Sequence, residues 1–117
     1  MSVATVVVTV LAALIFFAAA AMKLTGQEQS LATRDRLGID PGRWRLIGLL
    51  EIAGATGALV GLAFRPLGIA ATAGLVLTSV GAIAAHVRMG NLRSEGAAAV
   101  LALVLTVAAL VLQIITT

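Results

Sequence analysis

Four long apolar segments, separated by polar ones, divide this chain of 117 residues. They cover residues 3–22, 46–64, 67–85 and 96–115. A helix needs about 20 predominantly apolar residues to cross a bilayer, and each segment comes close to that length. The pattern predicts an all-α fold: four transmembrane helices in an antiparallel up-and-down bundle, as a single integral membrane domain over residues 1–117. The first segment lacks the positively charged start of a signal peptide, so we expect it to remain as the first span.

The polar segment between the first and second spans predicts a short helix at the membrane surface. It reads KLTGQEQSLATRDRLGID over residues 23–40. Leucines alternate there with charged groups, which is typical of a helix lying in the bilayer interface, and a solvated loop is the alternative. Gly38 suits the end of such a helix, and Asp40 followed by Pro41 suits the start of the next one.

The composition supports the membrane interpretation. The chain is 61% hydrophobic and 11% charged, whereas soluble domains average about 25% charged residues. Such a chain has too little polar surface to cover a water-soluble globule, so a lipid bilayer is its expected partner. The net charge is +3, but the basic residues flank apolar segments and aromatic residues make up only 3%. Membrane orientation explains these charges better than binding to nucleic acid, which we do not expect.

The distribution of basic residues predicts an orientation in the cell membrane. The loops after the first and third spans lie on one side of the bilayer, whereas Arg65 lies on the other. The basic residues on the first side are Lys23, Arg34, Arg36, Arg43, Arg45, Arg88 and Arg93. Because basic residues favour cytoplasmic loops, we expect these loops in the cytoplasm and both termini outside.

Two residue counts exclude several kinds of site. The chain has no cysteine, which excludes disulfides, thiol redox chemistry, cysteine-ligated iron–sulfur clusters and a cysteine nucleophile. It has one histidine, His86, which excludes a bis-histidine haem or a multi-histidine metal site within one subunit. No metal site is predicted.

One acid, Glu51, lies inside a predicted span, the segment at residues 46–64. The residues three, four and seven positions away from it include Gly48, Gly54, Ala55 and Ala58. Small faces pack against other helices, so we expect Glu51 to point into the bundle. An isolated charge there costs about 2.5–3.5 kcal/mol on insertion scales. We therefore expect a partner, either Lys23 at the end of the first span or His86 at the end of the third, or else a neutral carboxyl group.

These residues form a candidate functional site, and each of the charged or titratable ones also has a purely structural interpretation. Glu51 and His86 are the candidate catalytic residues, as an acid–base pair. The candidate binding residues are Lys23, Trp44, Gly48 and Arg88. In the structural alternative, Glu51 only bonds within the bundle and His86 faces interfacial water. Lys23 then extends to lipid headgroups, and Arg88 anchors the topology.

Several motifs at the ends and in the middle of the spans belong together. They are Met22-Lys23-Leu24, Leu37-Gly38-Ile39, IGLLEIAGATGALVGL over residues 47–62 and GLVLTSVGAIAAHVRMG over residues 74–90. Over nearly the whole chain, this set resembles the DoxX-like family of small four-helix membrane proteins. The more specific parts are the Gly-x-x-Glu-x-x-Gly spacing around Glu51 and the segment from His86 to Arg88.

The resemblance implies a four-helix bundle with Lys23, Glu51, His86 and Arg88 at positions that match the family. Members of the family look like membrane subunits of quinone-linked oxidation systems, partners of oxidative-stress proteins or, more distantly, factors that assist assembly of other membrane proteins. A quinone is therefore the cofactor that the resemblance implies. Another membrane protein or a second copy of the chain is the implied partner.

Two functions from different classes follow. The first is a membrane subunit or assembly partner whose intramembrane Glu/Lys/His site binds a lipid or quinone. The alternative is a small membrane enzyme that uses Glu51 and His86 for acid–base chemistry on an isoprenoid- or quinone-like substrate. A transporter or channel is less well supported, because one acid in one half of the bilayer does not form a continuous polar path.

Overall fold

The computed structural model describes residues 2–90 and 97–115. This part of the chain is all-α, as predicted, and contains no strand. Its five helices are α1 (Val3–Thr25), α2 (Glu28–Leu37), α3 (Pro41–Val60), α4 (Arg65–Met89) and α5 (Ala97–Ile115). The short helix predicted between the first two spans is confirmed as α2. The other four helices correspond to the four apolar segments.

Each of the four long helices packs against two others. Helix α1 contacts α3 and α5, and α4 contacts the same two helices, while the short α2 lies against α1 and α4. Arg65, at the start of α4, donates hydrogen bonds to the carbonyl groups of Gln113 and Ile114 at the end of α5. The side chain of Gln113 also donates to Thr9, near the start of α1. The end of α5 therefore lies beside the beginnings of both α4 and α1.

The helix ends follow from local sequence. Gly26, Gly38 and Gly90 follow α1, α2 and α4, each with φ between 70° and 72°, a conformation that costs glycine little. The Asp40 side chain accepts a hydrogen bond of 3.1 Å from the backbone N–H of Arg43 and begins α3. These findings confirm the predicted end of α2 and start of α3. Helix α3 ends at Val60, earlier than the predicted boundary at residue 64, because a tight turn precedes α4.

The interior of the fold is small and partly polar, and the exterior is large and apolar. The largest fully buried side chains are those of Leu75, Thr5, Thr9, Thr72, Thr106 and Ser79. Several hydroxyls donate to a carbonyl group one turn earlier, as Thr72 does to Gly68 at 2.7 Å and Ser79 to Leu75 at 2.9 Å. Leucine and valine side chains cover much of the outside. These buried hydroxyl groups are therefore satisfied within their own helices, and small residues allow the helices to approach closely.

Three of the described helices, α1, α4 and α5, are long and apolar enough to cross a membrane. Helix α3 has 20 residues but carries three charged ones: Arg43, Arg45 and Glu51. Composition alone therefore does not establish the span predicted at residues 46–64. Ser94 followed by Glu95 predicts a cap for the last span, and both residues lie outside the described part of the chain, as does Arg93.

Candidate functional site

An ion pair joins α1 to the middle of α3. The Nζ atom of Lys23 lies 2.9 Å from Oε1 of Glu51, and the two side chains are only 15% and 5% exposed. Glu51 belongs to the buried face of α3, which repeats every three or four residues through Trp44, Gly48 and Ala55. This spacing turns the carboxylate inwards, as the small-residue face predicts. Of the two partners considered for Glu51 from the sequence, Lys23 at the end of α1 lies at ion-pair distance.

The ion pair with Lys23 does not use the full hydrogen-bonding capacity of the Glu51 carboxylate. Although its Oε1 atom is within ion-pair distance of Lys23, it is buried and accepts no well-directed hydrogen bond from the described residues. An ionised carboxylate offers about four lone-pair positions, and the contact with one ammonium group leaves most of them available. Glu51 therefore retains the capacity to accept a hydrogen bond from a donor that approaches from the interior.

Close packing at Gly48 brings the lysine to this position. A Cβ atom at residue 48 would lie 3.2 Å from Cγ of Leu24 and 3.3 Å from Cβ of Lys23. The absence of a side chain lets the last turn of α1 rest on the backbone of α3, three residues before Glu51. Gly48 thus acts through helix packing. It does not line the cavity described below.

Trp44 connects the ion pair to α2. The Nζ atom of Lys23 lies 4.9 Å from the centroid of the Trp44 ring, which is a cation–π distance. The ring is buried, and its Nε1–H donates a hydrogen bond of 3.1 Å to Oγ of Ser30 in α2. The lysine head therefore lies between a carboxylate and an aromatic face, and the aromatic residue holds the short helix against the bundle.

These groups lie in the wall of a cavity of about 500 Å³, a size typical of small-molecule sites. All five helices contribute to the wall. Its polar side chains are Lys23, Thr33, Trp44, Glu51, Thr78, Ser79 and His86. The remaining lining is apolar, with Phe16, Leu37, Ile39 and Leu50 among its larger members. The cavity is thus a mainly apolar chamber with three ionisable side chains, Lys23, Glu51 and His86, in its wall.

The structure separates the predicted site residues into two sets. Lys23, Trp44, Glu51 and His86 all line the cavity, and His86 is buried at 6% exposure. Arg88 is exposed near the end of α4 and does not line the cavity, so the geometry does not place it with the other binding candidates. The described residues contain no group of three or more His, Cys, Asp or Glu that could hold a metal ion.

Several polar side chains were missed from the sequence, including Thr33 and Thr78 of the cavity wall, and two others had a signal that could have identified them. Ser79 lines the cavity on α4, and its position seven residues before His86 was a signal that both share a helix face. The second feature is the buried Gln113, which donates to Thr9 at 3.2 Å at the opposite end of the fold. Its isolated position in an apolar segment could have identified it, because a polar residue there needs a partner.

The arrangement has clear chemical capacities. Lys23 can donate a hydrogen bond to a ligand oxygen, and Glu51 can accept one from a hydroxyl group. Ser79 donates to its own helix and keeps lone pairs that can accept another bond. The apolar remainder of the cavity suits a hydrocarbon ring or chain. The site therefore fits a mainly apolar molecule that carries a polar head.

The fold and site together define an all-α membrane protein whose helices line a cavity with a buried ion pair in its wall. The profile of the DoxX-like family matches residues 7–111, and the chain belongs to that family. The resemblance noted from the sequence motifs is confirmed by this match. No curated protein and no solved structure matches the chain.

Proposed function

We propose that the chain is a single integral membrane domain in which α3 is a fourth span beside α1, α4 and α5, in an antiparallel bundle. The charges of α3 are compatible with a bilayer. Arg43 and Arg45 belong to its first turns, where headgroups lie, and Glu51 is buried and paired with Lys23. Exposed side chains along the next turns of α3 include Leu46, Leu49 and Leu50. Lipid is the medium that suits such an exterior.

The proposed orientation follows from the basic residues. Helix α2 and the end of α4 lie on the cytoplasmic side, with α2 in the membrane interface and both termini outside. In this arrangement, the exposed Arg88 is a topology anchor at the cytoplasmic end of α4. The ion pair and the cavity then belong to the cytoplasmic half of the membrane.

Within this fold, we propose that the protein is a membrane subunit or assembly partner whose cavity binds a lipid or quinone. The observation that supports this most strongly is that the Lys23–Glu51 pair lines an apolar cavity of about 500 Å³. A purely structural ion pair would require no such chamber beside it. A quinone suits the lining, because its oxygens can accept from Lys23 while its ring and tail contact apolar walls.

A second candidate function is supported by one specific feature. His86 and Glu51 line the same cavity, so a bound isoprenoid- or quinone-like molecule could contact both. In an enzyme, the two groups would act as acid and base in proton transfer to or from that substrate. Binding is common to both candidates and is the property to test first.

The chain supplies its own probe for binding. It has one tryptophan and no tyrosine, and Trp44 lines the cavity. The tryptophan fluorescence of the protein therefore comes from the cavity wall, and a quinone that binds nearby quenches it. We expect decylubiquinone, added at increasing mole fraction to the protein in phosphatidylcholine vesicles, to quench Trp44 with a saturable curve.

Two neighbouring alanines of α4 provide a matched control. Ala85 lines the cavity, whereas Ala84 is exposed and does not line it. We expect Ala85→Phe to occupy part of the chamber and weaken saturable quenching, and Ala84→Phe to leave it unchanged. Quenching that rises linearly with quinone content, equally in both variants, would reflect partitioning into lipid and would contradict binding in the cavity.

A further inference from the structure

Helices α3 and α4 pack differently against each other at the two ends of their interface. At the turn between them the helices touch through glycine: a Cβ atom at Gly61 would meet the backbone of Gly68. One turn further along, a Cβ atom at Gly57 would lie 2.9 Å from Cβ of Ala71. At Gly54 it would lie 2.6 Å from a methyl group of Leu75. The seam between the helices is closed over this half.

The same seam is open in the other half, beside the cavity. Leu50 and Ile47 of α3 and Thr78, Gly81 and Ala82 of α4 all line the chamber. Leu50 is also 56% exposed, and Gly81 is exposed as well, so both contact the cavity and the outer surface at once. A Cβ atom at Gly81 would meet no described atom within 4 Å, so there is free space outside its backbone.

The surroundings of this opening are apolar. Exposed leucine and valine side chains lie on both helices near it, including Leu49, Leu77 and Val80. In the proposed orientation, this surface faces the hydrocarbon part of the bilayer rather than water. A path from the surface to Glu51 at this place therefore suits a molecule already dissolved in the membrane.

We propose that the cavity opens sideways into the bilayer between α3 and α4, and that its ligand is a tailed amphiphile whose head lies beside Lys23 and Glu51 while its apolar tail passes between Leu50 and Gly81 into the lipid. This inference rests on the proposed binding function. It adds that the ligand comes from the membrane and that the chamber does not have to enclose the tail. The protein then selects ligands by their heads and accepts tails of different length.

Two glycines of α4 make a matched pair for the test. Gly81 lines the cavity, and Gly74 lies seven residues earlier on the same helix face but does not line it. A Cβ atom at either position would meet nothing within 4 Å. Leucine at either site therefore gives the same gain in helix propensity and bulk, and only Gly81→Leu obstructs the opening.

The experiment measures quenching of Trp44 in phosphatidylcholine vesicles by decylubiquinone and by the same quinone ring without a tail. For Gly81→Leu we expect decylubiquinone affinity to fall at least about tenfold, because the new side chain and the tail compete for one space. The tail-less ring should bind within about twofold of the unmodified protein, since its head site is unchanged. Gly74→Leu should bind both probes as the unmodified protein does.

The outcomes separate this inference from the proposed function. Unchanged decylubiquinone binding by Gly81→Leu would overturn the lateral opening, as would an equal loss of both probes, which would mean that position 81 belongs to the head site. Leu50→Phe narrows the opening from α3 and provides the same comparison if Gly81→Leu does not fold. Absence of saturable binding of either probe by the unmodified protein would overturn the proposed function itself.

Discussion

Lys23 and Glu51 form a buried ion pair of 2.9 Å between the last turn of α1 and the middle of α3. The lysine offsets the cost of burying the Glu51 carboxylate between helices that are otherwise mainly apolar. The Trp44 ring covers the lysine head from the other side. The pair is therefore both the connection between two helices and the polar end of the cavity.

The first prediction concerns removal of one charge from this pair. Lys23→Met leaves the buried carboxylate of Glu51 without its cation, and we expect a loss of roughly 3 kcal/mol in the free energy of unfolding, as for other buried pairs that lose one partner. The double variant Lys23→Met/Glu51→Gln should recover most of this loss. Unfolding in mixed micelles, followed by helical circular dichroism, measures both.

An exposed ion pair provides the control. Arg34 and Asp35 lie 2.9 Å apart on α2, with the aspartate side chain 68% exposed. Asp35→Asn should change stability by less than about 1 kcal/mol, because solvent screens this pair. If Lys23→Met were as mild as Asp35→Asn, the Lys23–Glu51 pair would have no role in holding the helices together.

The second prediction concerns the glycine contact between α3 and α4. Gly61→Ala places a methyl group against the backbone of Gly68, which cannot move aside as a side chain can. We expect destabilisation at the upper end of the range of about 1–3 kcal/mol for overpacking. Gly74→Ala, where a Cβ atom meets nothing within 4 Å, should be neutral or slightly stabilising. Equal stability of the two variants in thermal unfolding would contradict the close approach.

The third prediction concerns the attachment of α2. Trp44→Phe keeps an aromatic ring but removes the N–H group that donates to Ser30. Loss of one such bond costs about 1 kcal/mol, so amide hydrogen exchange over residues 28–37 should become roughly fivefold faster. Ser30→Ala should have a similar effect, and the double variant should add little to either. Additive effects would mean that the two residues stabilise α2 independently.

The fourth prediction concerns orientation. The chain contains no cysteine, so single introduced cysteines can be labelled without background. In intact cells, a membrane-impermeant maleimide should react with Ala63→Cys, in the turn between α3 and α4, and with Glu28→Cys on α2 only after lysis. The opposite pattern would reverse the proposed topology and place the cavity in the outer half of the membrane.

Much of the fold was predictable because its signals are local. The length and hydropathy of the apolar segments indicated the long helices, and Gly38 and Asp40 marked helix ends through backbone conformation and capping. The inward direction of Glu51 followed from the helical period. The boundary at Val60 was missed, because the tight turn before α4 has no distinct sequence signal other than Pro66 further along.

The candidate site was predictable only in part. Sequence reasoning identified the titratable groups that line the cavity, since ionisable residues are rare in apolar segments. It grouped Arg88 with them, although the structure turns this side chain outwards. It missed Ser79, whose hydroxyl is a common feature of membrane helices and gives no signal alone.

The sequence by itself determined the membrane class, the helices and the inward face of α3, because these properties depend on the order of residues along one segment. Only the tertiary structure decided that Lys23 lies at ion-pair distance from Glu51, that Trp44 bonds to Ser30, and that a chamber lies beside them. These relationships depend on how closely different helices approach. That distance is set by the contacts of side chains far apart in the chain, such as the closed seam near Gly61 and the open one near Gly81.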